Sequence, residues 1–195
     1  DISMTTNGSL LAPRAAKLKE LGLNRVNISL DSLDSDAFAL CVGKANQLDS
    51  VLNGIQSAID AGFTSVKINT VLSRHWTDDE VHDLLTYVET WPVIWRFIEY
   101  MPFQGDAFHG PTFDEWKAQL ERVSGGILTE NHDVYGFGPA TYYNLPSGKE
   151  IGFIFSMSHS YCDTCNRVRL TSDGQMRLCL LRDDEADLVS RVRRG

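Results

Sequence analysis

The sequence predicts an α/β fold, with a largely parallel sheet covered by helices. Three observations lead there. Strand-like segments start near residues 26, 66 and 94. The segments between them carry apolar residues at helical spacing. Glycines punctuate the helix ends, and one later helix opens on a capping sequence. This strand–helix rhythm describes a sheet that is either open or curved into a barrel.

Each element follows from its residues. Asp1 to Gly8 reads as the end of a strand entering a turn. Residues 9–21 have leucine and alanine at helical spacing, with Pro13 near the first turn and Gly22 as the stop. Arg25 to Leu30 alternates as a strand. Helices follow at about 34–41 and 48–61, the second ending at Gly62. Val66 to Leu72 is the next strand, and Thr77 to Glu80 opens a helix that runs to about residue 90. Val93 to Tyr100 is a further strand. The pattern then breaks in an irregular stretch at 102–111. A helix fits 113–122, followed by short strands at 127–130, 140–145 and 150–157. Turns are expected at Gly136–Pro139 and Pro146–Gly148. Strands near 168–171 and 175–180 flank the Asp173–Gly174 turn, and a last helix covers about 183–194.

Bulk properties narrow the class. The 195 residues suffice for one large domain, or one domain with an appendage. Hydrophobic residues make up 43% and charged residues 23%, ordinary values for a folded soluble chain. The formal net charge of −8 argues against a general nucleic-acid binder. No apolar run approaches membrane-spanning length, and no internal repeat is visible.

The densest chemical signal is the spacing C-x2-C-x13-C formed by Cys162, Cys165 and Cys179. Two thiols on a tight loop and a third on a later strand can grip one metal centre. From spacing alone, two readings stay open. With His159 as fourth ligand, the set would make a tetrahedral zinc site. With three thiols alone, it would hold a four-iron cluster with one open iron. Disulfide pairing is disfavoured in a chain with four cysteines and no secretory signal. The remote Cys41 reads as a small buried hydrophobe. Arg167 and Arg169 alternate, so on a strand both would face one way and offer two cations to an anionic ligand.

In such architectures ligands gather at the C-terminal ends of parallel strands. Thr5, Thr6 and Asn7 end the first strand, and Ser29 and Asp31 end the second. Lys67 and Asn69 share a face of the third, and Arg96, Ile98 and Tyr100 share a face of the fourth. A lysine in a central strand needs an anionic partner, which favours a phosphate or carboxylate. For Arg96 the alternative is a salt bridge to Glu99 or Asp31. Met101 reads first as packing, as do Tyr142 and Tyr143.

In order, these segments resemble the GTP 3′,8-cyclase family, the radical S-adenosylmethionine enzymes that begin molybdenum cofactor synthesis. The matching residues are Thr-Thr-Asn-Gly at 5–8, Asn-Ile-Ser-Leu-Asp-Ser-Leu-Asp at 27–34 and Val-Lys-Ile-Asn at 66–69. Arg-Phe-Ile-Glu-Tyr-Met-Pro-Phe at 96–103 and Cys-Asp-Thr-Cys-Asn-Arg-Val-Arg-Leu-Thr-Ser-Asp-Gly at 162–174 complete the set, with Cys179 beyond. The resemblance implies a partial (β/α) radical-SAM barrel over 1–103. It implies a C-terminal, β-containing, cluster-bearing and GTP-binding region over 104–195. Cys162, Cys165 and Cys179 would ligate a C-terminal 4Fe–4S cluster, without His159. Thr5, Lys67, Arg96, Arg167 and Arg169 would contact GTP, and Ser29 and Met101 would contact S-adenosylmethionine. No catalytic side chain is assigned. The implied reaction is a 5′-deoxyadenosyl-radical conversion of GTP to 3′,8-cyclo-7,8-dihydro-GTP.

The family's N-terminal C-x3-C-x2-C segment has no counterpart in these residues. The chain is therefore expected to be the middle and cluster-bearing end of the enzyme, with one exposed barrel edge. Alone it is expected not to generate the radical; the second 4Fe–4S cluster belongs to the full-length protein. The alternatives are a zinc-stabilised module and a catalytically inactive nucleotide-binding scaffold. The family further implies a homodimer and a cytoplasmic site in bacteria or a mitochondrial one in eukaryotes, while charge and hydropathy predict no nucleic-acid or membrane partner.

Overall fold

Alternating polar and apolar residues along each strand sort the side chains onto two faces of one sheet. The computed structural model describes residues 1–73, 75–102, 110–132, 138–165, 167–179 and 185–194. Phe103, most of the irregular 102–111 stretch, part of the expected turn at 136–139, Asn166 and the start of the expected last helix lie outside these residues. Two compact units are present, Asp1–Ser160 and Tyr161–Gly195.

The first unit is built on a seven-stranded sheet in the order β1-β2-β3-β4-β7-β6-β5. Its strands are β1 (Ser3–Thr6), β2 (Arg25–Ser29), β3 (Ser65–Leu72), β4 (Ile94–Glu99), β5 (Thr129–Asn131), β6 (Thr141–Asn144) and β7 (Glu150–Ile154). β1, β2, β3, β4 and β7 run parallel, and β6 and β5 add antiparallel strands at the far edge. The first four strands appear in sequence order with no reversal. With right-handed crossovers, that order keeps the connecting helices on one face, as in a barrel wall, rather than on both faces of a doubly wound sheet.

The helices are α1 (Ala15–Glu20), α2 (Ser35–Val42), α3 (Leu48–Asp60), α4 (Asp78–Thr90) and α5 (Phe113–Ser124). Their apolar residues form one core cluster with Val26, Ile28, Val66, Ile68, Leu72, Trp95, Phe97, Ile151 and Phe153, all from one sheet face. Capping boxes at Thr77/Glu80 and Thr112/Glu115 start α4 and α5. Two buried polar side chains on the core side, Thr70 and Glu99, are hydrogen-bonded, whereas the indole N–H of the buried Trp116 has no hydrogen-bond partner among the described residues. Thr70 donates to the Leu30 carbonyl (2.6 Å) and accepts from Trp95 Nε1 (2.8 Å). The buried Glu99 carboxylate accepts from the backbone N–H groups of Met157 (2.5 Å) and Ser158 (2.9 Å).

Three expectations need correction. Residues 9–14 form turns, and α1 begins only at Ala15. Pro13 has no N–H, and the segment closes with short-range bonds from Leu11 N to Gly8 O (3.0 Å) and from Arg14 N to Leu11 O (2.8 Å). Cys41 is exposed, because Phe38 is the buried residue of α2. The last expected helix is divided. Glu185–Asp187 is a strand, β10, and only Val189–Arg194 is helical, as α6. Pairing of β10 with Gln175–Arg177 (β9) and the Arg177–Glu185 ion pair take these residues into a sheet.

The second unit holds a three-stranded antiparallel sheet in the order β10-β9-β8, with β8 at Arg169–Leu170 and β9 at Gln175–Arg177. Asp173 and Gly174 turn β8 into β9, held by Gly174 N to Thr171 O at 3.0 Å. The compact units divide after Ser160, whereas the division read from residue pattern lies at 103, inside the first unit.

A polar sheet face and a cysteine turn as the candidate functional site

Opposite the core, the strands of the first unit present polar side chains. Register places them in two rows. Thr5, Asn27 and Lys67 are neighbours across β1, β2 and β3. One step toward the C-terminal ends, Ser29, Asn69, Arg96, Gly152 and Tyr142 are neighbours across β2, β3, β4, β7 and β6. Four residues singled out from sequence, Thr5, Ser29, Lys67 and Arg96, therefore share one face. Met101 follows β4 by two positions and is half-buried.

Two cations dominate this face. Lys67 is only 7% exposed, and its ammonium donates to the Tyr142 hydroxyl at 3.2 Å. Burial, followed by the nearby charges of Arg96 and Arg25, lowers its pKa to about 8, while Glu150 works in the opposite direction. Arg96 donates through Nε to Asn69 Oδ1 (2.9 Å) and through a terminal nitrogen to Asn27 Oδ1 (3.0 Å). Burial also depresses its pKa, and Tyr142 offsets that in part. The salt bridge weighed for Arg96 with Glu99 or Asp31 is not what holds it. Glu99 points to the core side, and Asp31 accepts from the Val71 N–H at 2.8 Å. Burial raises the Asp31 pKa, and that hydrogen bond opposes the rise.

At the C-terminal ends of β1 and β2, a cavity of about 150 Å³ is lined by Asn7, Ser9, Ser29, Asp31, Phe38 and Lys44, among others. It lies where the strand-end rule puts a ligand, and Ser29 is on its wall.

The residues missed from sequence are Asn27, Tyr142 and Gly152. Asn27 was legible as the same-face neighbour of Ser29. Tyr142 and Gly152 were not, because only the β4–β7–β6 pairing brings them beside Arg96.

In the second unit, Cys162 and Cys165 bound a single 3-10 turn, with Cys165 N donating to Cys162 O at 3.2 Å. The Arg167 backbone N–H, then its guanidinium, lowers the Cys165 pKa. Arg167 donates to the Tyr161 hydroxyl at 2.8 Å. It precedes β8, which begins at Arg169, so strand alternation does not fix how the two arginines face. Cys179 is half-buried beyond β9. No cysteine is in a disulfide. Thiols on a short turn, one stabilised as thiolate, fit a soft metal centre by donor chemistry. Among the described residues, no three Cys, His, Asp or Glu side chains are gathered closely enough to hold a metal ion. His159 stacks on Phe113 with ring centroids 4.6 Å apart. Among the described residues, no helix is long and apolar enough to cross a membrane.

Residues 93–195 match the family described as Molybdenum Cofactor Synthesis C, and residues 1–88 match the Radical SAM superfamily. The whole chain aligns with proteins named GTP 3′,8-cyclase. It is 45% identical over 204 residues to the one from Trichodesmium erythraeum and 41% identical over 199 residues to the one from Moorella thermoacetica. It spans 61% of the length of each. Among solved structures, it resembles Streptococcus suis SuiB bound to S-adenosylmethionine, with TM-score 0.61 and 14% identity over 95% of this chain and 45% of that one. A radical SAM methyltransferase from Sphaerobacter thermophilus gives TM-score 0.52 and 15% identity over 63% of this chain and 36% of that one. At these identities the likeness is one of fold, a partial radical-SAM α/β wall.

Proposed function

The chain belongs to the Molybdenum Cofactor Synthesis C family, and from that premise we propose that its protein is a GTP 3′,8-cyclase acting in the first step of molybdenum cofactor synthesis. The observation that carries the reading is the pair of cations, Lys67 and Arg96, on the polar sheet face. Two cations held in a sheet interior cost desolvation and suit a polyanionic ligand such as a nucleoside triphosphate. Relatives named for the same activity, aligned over the full chain, support this choice of ligand.

In this reading residues 1–103 supply the partial barrel, and 104–195 supply the cluster-bearing, GTP-binding part. Thr5, Lys67, Arg96, Arg167 and Arg169 contact GTP; Ser29 and Met101 contact S-adenosylmethionine. Cys162, Cys165 and Cys179 hold a 4Fe–4S cluster. In the full-length protein a second 4Fe–4S cluster, not held by these residues, would with S-adenosylmethionine supply the 5′-deoxyadenosyl radical that turns GTP into 3′,8-cyclo-7,8-dihydro-GTP. This chain's residues bind and orient. Lys67 and Arg96 fix the phosphates, while the asparagines at 27 and 69 hold Arg96 in place. The apolar core behind the sheet keeps that scaffold rigid, so the reacting carbons meet at fixed separation.

The test is anaerobic reconstitution of the chain with iron and sulfide, followed by metal analysis and EPR of the reduced sample. About four irons per chain and a spectrum altered by GTP are expected. One tightly bound zinc with no response to GTP would overturn the cluster assignment. Replacing Arg167 and Arg169 together should weaken GTP binding and leave the iron content unchanged.

A further inference from the structure

We propose that Tyr142 is a positioning residue of the nucleotide site, its hydroxyl holding Lys67 and Arg96 as a spaced pair of cations over a passage left open by Gly152. The proposal rests on the nucleotide reading of the polar sheet face. It concerns which residue shapes that face rather than which residues bind.

The geometry is specific. Tyr142 stands on β6, two strands away from β4, and its register partner is Gly152 on β7. Arg96 has the same partner from the other side. A methyl group on Gly152 would lie 2.9 Å from Arg96 Cγ and 3.0 Å from Tyr142 Cε1. The first contact is shorter than real Cβ atoms make and the second is tighter than nearly all of them, so glycine is what lets the two side chains cross above β7. The phenol then reaches Lys67, with 3.2 Å between hydroxyl and ammonium and 5.6 Å from Nζ to the ring centroid. The side chains of Tyr142 and Arg96 meet above Gly152, and the phenol works against the lowering of the Arg96 pKa by burial. A phenolic oxygen has two lone pairs, enough to accept from both cations at once. A carboxylate in its place would neutralise the pair and compete with a phosphate. A neutral acceptor keeps both charges and fixes their separation.

The groups facing Lys67 come from four strands: Tyr142 on β6, Arg96 on β4, Arg25 on β2 and Glu150 on β7. Of the groups able to hydrogen-bond its ammonium, Tyr142 is neutral at physiological pH, since burial raises its own pKa. Removing the hydroxyl therefore changes the hydrogen bonding of the ammonium without adding or removing a formal charge.

The experiment compares the chain with its Tyr142→Phe and Gly152→Ala variants. Affinities for GTP and for inorganic tripolyphosphate are measured by calorimetry between pH 6 and 9.5. Lys67 is titrated by NMR with side-chain-labelled lysine, and urea midpoints monitor folding. In Tyr142→Phe the affinity for both probes should fall about five- to ten-fold at pH 7, less than the full value of a hydrogen bond to a charged group because the phenol touches the cations and not the phosphate. Lys67 should titrate at lower pH than in the parent chain. Gly152→Ala should reproduce the loss of affinity with the phenol still present, because the methyl displaces Arg96 and Tyr142. Unchanged affinity together with an unchanged Lys67 titration in Tyr142→Phe would overturn the proposal, whatever the urea midpoint does. If the parent chain binds neither probe, the nucleotide reading fails, and the Lys67 titration alone decides whether Tyr142 positions the lysine.

Discussion

Replacing Lys67 by methionine should make the chain more stable at neutral pH while abolishing the nucleotide binding proposed for it. Lys67 is buried, and its pKa is moved from 10.5 to about 8. At about 1.4 kcal/mol per pKa unit, the charged form is disfavoured in the fold by about 3 kcal/mol. Methionine matches the stem in length and removes that penalty. It also removes the hydrogen bond and ring contact to Tyr142, together about 2 kcal/mol. The net gain at pH 7 is therefore about 1 kcal/mol. The sign has a pH signature. The folded-state pKa lies below the unfolded one, so the penalty is complete below pH 8. Between about 8 and 10.5 the unfolded chain holds more protons, and the parent gains stability as pH rises. Urea unfolding of both proteins, followed by tryptophan fluorescence at pH 7 and at pH 10.5, reads the difference. The gap should be about 1 kcal/mol at pH 7 and should reverse at pH 10.5. A variant less stable than the parent at pH 7, or a gap independent of pH, would refute the idea of a desolvated cation kept for binding.

Other sites give sharper tests of the scaffold. Gly54→Ala puts a methyl 2.3 Å from the Gly8 carbonyl oxygen, where α3 meets the loop after β1. The helix-propensity gain of about 1 kcal/mol is outweighed, and a net loss of about 1–3 kcal/mol is expected by urea titration. Alanine at the exposed neighbour Asn53 should cost nothing in the same assay. Thr112→Ala removes the capping box of α5 and should lower stability by about 1 kcal/mol, seen as a shift of the thermal midpoint. Glu99→Gln weakens the acceptor for the Met157 and Ser158 N–H groups. Faster amide hydrogen exchange at both positions and a loss of about 1–3 kcal/mol should follow; unchanged exchange would show that the backbone there is held by other contacts.

Much of the first unit was legible because its signals are local. The period-two patterns at 25–30, 66–72 and 93–100 give β2, β3 and β4 within a residue or two. Thr77 and Glu80 mark α4 because capping chemistry depends only on neighbours. The same alternation put Lys67 with Asn69 and Arg96 with Ile98 and Tyr100, while Thr5 and Ser29 fell at strand ends. What escaped depends on pairing between distant segments. Tyr142 read as packing because nothing near it in the chain says that β6 lies two strands from β4. Glu185–Asp187 read as helix because its pairing with Gln175–Arg177, across a stretch of ordinary polarity, carries no local signal. Residues 9–14 keep the helical period, but Pro13 offers no N–H to propagate it and the segment closes in turns.

The pairing of β7 with β4 also sets the order in which this molecule can become competent. β1 to β4 pair in sequence order, each joined through its own helices, so these contacts close short loops. β7 must return to β4 across all of α5, β5 and β6. Loop-closure entropy makes such a contact late in folding. Arg96 gains Gly152 and Tyr142 as neighbours only at that step. A partly folded chain with β1 to β4 already formed would therefore present its lysine and arginine without the tyrosine that spaces them. Nucleotide would bind the finished sheet in preference to that intermediate. By mass action, a ligand that selects the completed state draws the last step forward. Refolding followed by nucleotide capture should lag behind refolding followed by helix signal, and the lag would time the docking of the β6–β7 hairpin.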